Sequence, residues 1–215
     1  MTGLIDEFER DGCAVVPSVV SDADLALAAA YCDSTPPSRA GNRHLLRLTW
    51  CAEMARSIRS VFPVRALLGE SRTAVQCTLF MKDARHNWLV PLHRDYSIPV
   101  MGRVTSAGWS AWSVKQSIPF ARPPERVLEA LVAVRVHLED TDTNNGALQV
   151  VNGSHRSKVE QGPRRSHFVP RGGALVMRPL LLHASSKVAS GSRRVLHFVY
   201  GPASLPDGAE WANAI

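Results

Sequence analysis

Pro91-Leu92-His93-Arg94-Asp95 carries an imidazole and a carboxylate two positions apart. Alternate residues of an extended strand point to the same side, so this spacing predicts that His93 and Asp95 face one direction. A second apolar run, Leu181-Leu182-His183, offers a further imidazole. The sequence therefore predicts that three side chains, distant along the chain, converge on one divalent metal ion.

The regions around these residues predict a β-rich fold. Strand candidates rich in Val, Leu, Phe and Tyr, bounded by Gly, Pro, Asn and Asp, cover residues 74–82, 88–92, 132–138, 147–151, 174–177, 180–183 and 195–200. Several short strands separated by turn signals predict a sandwich or a double-sheet barrel.

The N-terminal third of the chain predicts helices at residues 3–11, 22–31 and 50–61. Ser21 precedes the second helix as a capping residue, with acidic side chains in the first turn. We expect one domain over residues 1–215, with mainly helical support in 1–73 and the β core in 74–200.

Residues 98–130 interrupt the strand candidates with a long insert that contains glycines, prolines and the aromatic side chains of Trp109, Trp112 and Phe120. Inserts of this length inside a compact domain are usually functional or disordered, and the aromatic residues disfavour disorder. The insert directly follows the His93–Asp95 stretch, which predicts a lid over the metal. An elaborated crossover connection is the alternative.

The composition is that of a globular protein, with 45% hydrophobic and 20% charged residues among 215. The four cysteines form no C-x-x-C pair, and the N-terminus has no apolar signal region, so we expect a cytoplasmic protein with reduced thiols. The longest apolar runs are too short to span a membrane. A net charge of +6 raises the question of nucleic acid, but the arginines form no basic stripe. A basic surface with a cavity for an anionic ligand is the favoured interpretation.

The predicted ligand set has a specific chemical meaning. Two histidines and one carboxylate form the facial triad of non-heme Fe(II) oxygenases, which leaves open positions for a cosubstrate and dioxygen. Arg193 and Arg194 enter the apolar run 195–200, and a buried arginine needs an anionic partner. A dicarboxylic 2-oxo acid would meet the guanidinium with its far carboxylate and chelate the iron with its other end.

Several segments in this order resemble the phytanoyl-CoA dioxygenase family of Fe(II)- and 2-oxoglutarate-dependent oxygenases. They are Phe8–Pro17, His93-Arg94-Asp95, Leu138–Val150, Gly153-Ser154-His155-Arg156, His183-Ala184-Ser185 and the segment around Arg193. The resemblance implies an α+β, mainly β fold, a cupin-like double-stranded β-helix or jelly roll with supporting N-terminal helices.

The resemblance also implies roles for individual residues. His93, Asp95 and His183 would be the iron ligands, and Arg193 would bind the far carboxylate of 2-oxoglutarate, with Arg194 as the alternative. Cosubstrate contacts are implied for Ser185 and Gln76, and more weakly for Lys82.

The implied activity is hydroxylation of a small-molecule substrate with Fe(II), 2-oxoglutarate and O2, releasing succinate and CO2. Asp95 disfavours halogenation, because related halogenases lack this carboxylate. The segment Asp83–His86 and the insert differ from the family pattern, so no acyl-CoA substrate is inferred. The alternatives are a non-catalytic small-molecule binding protein on the same fold and a nucleic-acid-modifying oxygenase. His137 and His197, on apolar strands, are expected to be satisfied sheet residues rather than ligands.

Overall fold

The chain, seen in a computed structural model that describes residues 2–38, 41–69 and 72–215, begins with helices and continues as β structure. The α-helices are α1 (Thr2–Asp11), α2 (Asp22–Ser34), α3 (Thr49–Ser60), α4 (Phe62–Leu68) and α5 (Glu125–Glu129). The strands are β1 (Cys13–Val16), β2 (Arg72–Lys82), β3 (Val90–His93), β4 (Ile98–Pro99), β5 (Ser110–Lys115), β6 (Ile118–Arg122), β7 (Val132–His137), β8 (Leu148–Val150), β9 (Arg165–His167), β10 (Ala174–Met177), β11 (His183–Ser185) and β12 (Arg193–Pro202).

Two antiparallel sheets form the core of the fold. The larger has the order β1-β10-β7-β12-β2, and the smaller has the order β3-β11-β8-β9. Except for the consecutive strands β8 and β9, neighbours in each sheet are not consecutive in sequence, as in the double-stranded β-helix, or jelly roll. The predicted fold class is therefore confirmed.

The larger sheet uses its two faces differently. On β2 and β12, one set of alternate residues, including Leu79 and Phe198, packs against the helices. The other set, including Thr78 and His197, faces the interior between the sheets. Successive side chains of a strand point to opposite faces of the sheet. The pair β2 and β12 therefore packs against the helices with one face and lines the cavity with the other.

A second apolar cluster fills the space between the two sheets next to the cavity, and its member Leu148 also lines the cavity. It joins residues of the larger sheet, such as Leu175 and Met177, to Leu148 and Val150 of the smaller sheet. This packing fixes the distance between the sheets, and with it the relative positions of β3, β11 and β12.

The insert is folded. Strands β4, β6 and β5 form a separate antiparallel sheet, and α5 follows it. Its apolar side chains, including Ile98 and Trp109, pack with Trp211 near the C-terminus and with Val199 of the core. The insert was predicted from the sequence, but its strands were not. Turn residues interrupt their apolar alternation, and Ala111 adopts a left-handed conformation within β5.

Two further strand predictions differ from the structure. The predicted strand 180–183 is displaced, because the amide of Leu181 donates to the carbonyl of Arg178 in a turn and pairing starts only at His183. β9 was not predicted, since its sequence, Arg-Ser-His, has no apolar alternation. The capping of α2 is as expected, with a capping box between Ser21 and Asp24.

The four cysteines, all within the described residues, are buried and free. Among the helices of the described ranges, none combines the length and the apolar character needed to cross a membrane.

Tyr200 connects the sheet to the helical layer. Its side chain is fully buried, and its hydroxyl donates to the carbonyl oxygen of Ala55 in α3 at 2.8 Å. We expect Tyr200→Phe to lower the free energy of unfolding by about 1–2 kcal/mol, because a buried carbonyl loses its partner. Denaturant titration measures the change, and Tyr96→Phe, at a side chain that is 39% exposed, is the matched control. Equal stabilities of the two variants would contradict this role.

Candidate active site

The imidazoles of His93 and His183 lie side by side on two paired strands. His93, the last residue of β3, is the direct partner of His183, the first residue of β11, and their ring centroids are 4.2 Å apart. Asp95 does not lie on the strand as expected, because β3 ends at His93. Its amide donates instead to the carbonyl of Pro179 at 3.0 Å, which holds the carboxylate beside both rings.

His93, Asp95 and His183 form the candidate metal-binding group. Each offers one ligand atom, and the three atoms lie within 4.8 Å of one another. The Nε2 atoms of His93 and His183 are 3.6 and 3.8 Å from the Asp95 carboxylate. Each Nδ1 is hydrogen-bonded to a backbone carbonyl, of Pro91 at 2.9 Å and of Leu181 at 2.8 Å. Such bonds fix the Nδ1–H tautomer and leave Nε2 free to bind a metal. The donor set and its orientation fit a ferrous ion.

The protonation of the triad also suits a metal. Burial lowers the pKa of His183 to about 4, so this imidazole is neutral at physiological pH. Burial opposes ionisation of Asp95, but its close contact with His93 and the nearby imidazoles of His183 and His197 hold its pKa below the usual range. The same carboxylate outweighs burial at His93 and raises the pKa of that imidazole. The site therefore offers an ionised carboxylate between two imidazoles.

The triad opens into a cavity of about 300 Å³ between the two sheets. This volume is at the small end of ligand pockets, which measure about 300–1,000 Å³. Its lining combines aromatic and aliphatic side chains with five cations, Arg43, Lys82, Lys115, Arg135 and Arg193. Within residues 2–38, 41–69 and 72–215, Asp95 is the only carboxylate in the lining, so this part of the chain gives the cavity an excess of positive charge. This arrangement fits the anion-binding cavity suggested by the composition.

One end of the cavity is built for a carboxylate. Arg193 and Lys82 are direct partners on β12 and β2, and both side chains are buried. The hydroxyl oxygen of Ser185 lies 2.9 Å from Lys82 Nζ and 3.4 Å from Arg193 Nη2. Arg193 Nε is buried and has no hydrogen-bond partner in the described part of the chain. An unpaired buried guanidinium is costly unless an anion binds it.

The cations at this end of the cavity lower one another's pKa values. Burial, together with the neighbouring Arg193 and Arg135, lowers the pKa of Lys82 to about 7. Burial and Arg135 lower the pKa of Arg193 to about 9. Crowded cations of this kind are relieved when a dianion binds.

Arg194 is committed elsewhere. It lies on the opposite face of β12, where its guanidinium pairs with Glu139 and, at 3.1 Å, with Asp33. Arg194 does not line the cavity, so Arg193 is the guanidinium available to a ligand.

Gln76 lines the cavity at a distance from this end. It pairs with Val199, six residues along β2 from Lys82, which corresponds to about 20 Å of extended strand. Its amide donates to Thr78 Oγ1 at 2.9 Å. Gln76 and Arg193 therefore cannot contact the same carboxylate.

Three cavity residues were not identified as site residues from the sequence. Arg135, fully buried on β7, donates to His197 Nδ1 at 3.1 Å, and His197 Nε2 lies 3.9 Å from Asp95. His197 therefore faces the site rather than the apolar core. Arg43 lies outside any helix or strand, and nothing in its neighbouring sequence marked it. His137 is buried as expected, but neither ring nitrogen has a partner among the described residues.

The insert contributes directly to the cavity wall. Ile98, Lys115 and Phe120 line it, on β4, β5 and β6 respectively. Phe120 is buried, and Lys115 Nζ lies 4.5 Å from the centroid of its ring. The insert thus closes one side of the space next to the metal-binding group.

Comparisons with known proteins agree with this geometry. The family model described as "Phytanoyl-CoA dioxygenase (PhyH)" matches residues 8–196. No curated protein sequence gives a match. Among solved structures, AviO1 from Streptomyces viridochromogenes Tue57 is similar, with 21% identity, coverage of 95% of this chain and 96% of that chain, and a TM-score of 0.65.

Two other similar structures are enzymes or complexes of the same fold. HygX from Streptomyces hygroscopicus, with nickel, 2-oxoglutarate and hygromycin B bound, has 18% identity, coverage of 96% and 89%, and a TM-score of 0.65. The non-heme alpha ketoglutarate dependent epimerase SnoN from nogalamycin biosynthesis has 18% identity, coverage of 96% and 84%, and a TM-score of 0.69.

Proposed function

Because this chain belongs to the phytanoyl-CoA dioxygenase family of Fe(II)- and 2-oxoglutarate-dependent oxygenases, we propose that it hydroxylates a small-molecule substrate, releasing succinate and CO2. One observation carries the proposal. The cavity that holds the Nε2 atoms of His93 and His183 beside Asp95 also holds the guanidinium of Arg193, whose buried Nε has no hydrogen-bond partner among the described residues. A metal triad and a carboxylate anchor in one enclosed space are what this chemistry requires.

His93, Asp95 and His183 would hold the iron. When bound, the ferrous ion supplies the activation of dioxygen and the oxidative decarboxylation of 2-oxoglutarate. The protein orients the ligands through the carbonyls of Pro91 and Leu181, which keep both imidazoles in the ligating tautomer. As an iron ligand, Asp95 would take the place that a halide needs in the related halogenases, which supports hydroxylation rather than halogenation.

Arg193 would bind the far carboxylate of 2-oxoglutarate, with Ser185 and Lys82 completing the contact. The guanidinium offers donors in a planar fork that matches a carboxylate, and both neighbours already point toward it. Gln76 would act at the other end of the cavity, on the substrate side.

The walls would control access of water. Phe80, Phe120 and Trp88 line the cavity, and the insert closes one side of it. An apolar wall around the metal-binding group limits unproductive reactions and strengthens the ionic contacts inside. We also propose a cytoplasmic location, which is supported by the four free, buried thiols.

The decisive experiment measures coupling between cosubstrate and substrate. The purified protein, loaded with Fe(II), is incubated with 2-oxoglutarate and fractionated metabolite pools under isotopically labelled dioxygen. We expect iron-dependent succinate release that one fraction stimulates, and a product that gains one labelled oxygen atom. Binding of 2-oxoglutarate without any succinate release would support a non-catalytic binding protein instead. Succinate release with a product that loses hydrogen and gains no oxygen would replace hydroxylation by desaturation.

Lys82 gives a pH-dependent prediction. Its pKa of about 7 in the free protein means that it loses its charge just above neutrality, whereas a bound dianion favours the charged form. Binding of 2-oxoglutarate should therefore take up a proton above pH 7. We expect the Kd of 2-oxoglutarate to rise between about pH 7 and pH 8.5, by at most about tenfold per pH unit.

Calorimetry with the nickel-loaded protein in buffers of different ionisation enthalpy measures both the affinity and the proton uptake. Lys82→Met should bind more weakly at pH 6.5 and show a flatter pH dependence. Lys187→Met, at an exposed position outside the cavity, is the control. A pH dependence that persists unchanged in Lys82→Met would assign it to another group.

A further inference from the structure

A second pair of cations lies in the cavity, apart from the one at Arg193. Lys115 Nζ donates to Ser97 Oγ at 2.9 Å, two residues beyond Asp95. The guanidinium of Arg43 has a single weak contact, to the carbonyl of Gly41 at 3.5 Å. Both side chains are half-buried in the cavity wall, and no carboxylate in residues 2–38, 41–69 or 72–215 forms a salt bridge with either.

The two cation pairs occupy different positions along β2. Lys82 marks the position of Arg193, its direct partner on β12. Asn42 forms an isolated bridge with Leu79, which brings Arg43 beside Thr78. Thr78 is four residues from Lys82, or about 13 Å of extended strand. A single small carboxylate therefore does not reach both pairs.

The second pair faces the metal-binding group. Burial lowers the pKa of Arg43 and of Lys115, and the Asp95 carboxylate opposes the shift in both cases. His197, which is close to Asp95, is the direct strand partner of Thr78. A molecule bound by Arg43 and Lys115 would thus lie next to the iron ligands.

The fold fixes this pair in advance. Lys115 precedes the two-residue turn Gln116-Ser117, and both turn residues have positive φ values of 50° and 62°. This conformation is unfavourable for residues other than glycine and persists where the surrounding structure holds it. The Gln116 side chain accepts from the amide of Arg43 and donates to the carbonyl of Gly41, both at 2.8 Å. The strained turn is therefore fastened to the segment that carries Arg43, and the two cations are held together.

The charge of the cavity remains unbalanced after cosubstrate binding. Among the described residues, five cations and one carboxylate line it. The charges of Fe(II) and of the 2-oxoglutarate dianion cancel, so the excess of positive charge persists. Arg193 and Lys82 would contact the cosubstrate, and Arg135 donates to His197. Arg43 and Lys115 are the remaining two cations, and neither has a counter-ion among these residues.

We infer that the substrate carries an anionic group, a carboxylate or a phosphate ester, which Arg43 and Lys115 bind while an apolar part of the molecule packs against Phe120. This inference rests on the proposed function, because it assigns the substrate class of the same site. The pair selects anions and rejects amines, and the small cavity restricts the substrate to a molecule of modest size. Because Arg43 and Lys115 are half-buried, solvent screens their attraction for an anion only in part, and they can therefore discriminate between ligands by charge.

The test uses four aromatic probes of similar size that differ in charge: benzoate, phenyl phosphate, benzamide and benzylamine. Calorimetry measures their binding to the nickel-loaded protein saturated with 2-oxoglutarate. We expect benzoate or phenyl phosphate to bind at least about tenfold more tightly than benzamide, with benzylamine the weakest, because a hydrogen bond to a charged group contributes this much. The tighter of the two anions distinguishes a carboxylate from a phosphate.

Variants assign the effect to the pair. Arg43→Gln and Lys115→Gln should each weaken the anionic probe by about tenfold and leave benzamide unchanged. The control, Arg103→Gln, removes an exposed charge from the same insert outside the cavity. The Kd of 2-oxoglutarate and the melting temperature should stay at the wild-type values in all three variants.

The inference would be overturned by equal binding of charged and neutral probes, by no binding of any probe, or by an equal loss in Arg103→Gln. A higher Kd of 2-oxoglutarate in Arg43→Gln would also overturn it, by assigning the pair to the cosubstrate. Failure of the wild-type protein to bind 2-oxoglutarate at all is a separate outcome, which would contradict the proposed function itself.

Discussion

We expect Asp95→Ala to abolish iron-dependent consumption of 2-oxoglutarate and to lower the affinity for Fe(II) by more than about 100-fold. Loss of a group that merely orients a metal ligand costs about 10–100-fold, so loss of a ligand itself should cost more. The variant also removes the one carboxylate that the described residues place among the five cations of the cavity, which leaves their repulsion uncompensated. Anaerobic metal titration and succinate release measure the two effects.

The control for this variant is Asp83→Ala. Asp83 is an exposed carboxylate that caps a local turn through the amides of Arg85 and His86, and it does not line the cavity. It should keep wild-type metal affinity and turnover. Circular dichroism and melting curves show whether Asp95→Ala is folded. A folded Asp95→Ala protein with full 2-oxoglutarate consumption would show that the ligand assignment is wrong.

Arg193→Ala should raise the Kd of 2-oxoglutarate by about 30-fold or more. Truncating one partner of a buried, hydrogen-bonded charge pair costs about 2 kcal/mol at least. Metal affinity in the absence of 2-oxoglutarate should stay unchanged, because Arg193 does not contact the triad. Calorimetry on the nickel-loaded protein separates the two quantities.

The adjacent residue provides a matched control. Arg194→Ala removes the same side chain from the opposite face of β12, where it pairs with Glu139 and Asp33. It should lower stability slightly and leave the Kd of 2-oxoglutarate unchanged. If both variants raised that Kd equally, the effect would come from the strand and not from a direct contact of Arg193.

Much of the fold was predictable because strand alternation and capping are local. Residues 72–82, 132–137 and 193–202 form strands where apolar alternation predicted them, and Ser21 caps α2. The insert was recognised by its length and aromatic content, but its sheet was not. Pairing between β4, β5 and β6 depends on contacts with Trp211 and the core, which no local pattern encodes.

The site shows the same division. The spacing of His93 and Asp95 suggested a common ligand set, although the strand ends between them and the carbonyl of Pro179 holds Asp95 in place. His197 and Arg135 look like ordinary strand residues in the sequence. They face the metal-binding group only because β7 and β12 turn those alternate positions toward the interior.

The sequence by itself predicted most of the core strands, the three side chains proposed as iron ligands and the family to which the chain belongs. These features follow from residue type and short-range spacing, both of which can be read from the linear sequence. Only the tertiary structure decided that Arg193 and not Arg194 faces the cavity, that Lys82 joins it, and that Arg43 lies beside Lys115. Those facts depend on which face of a sheet packs against other elements and on which distant segments of the chain lie close together. Many long-range contacts together determine both.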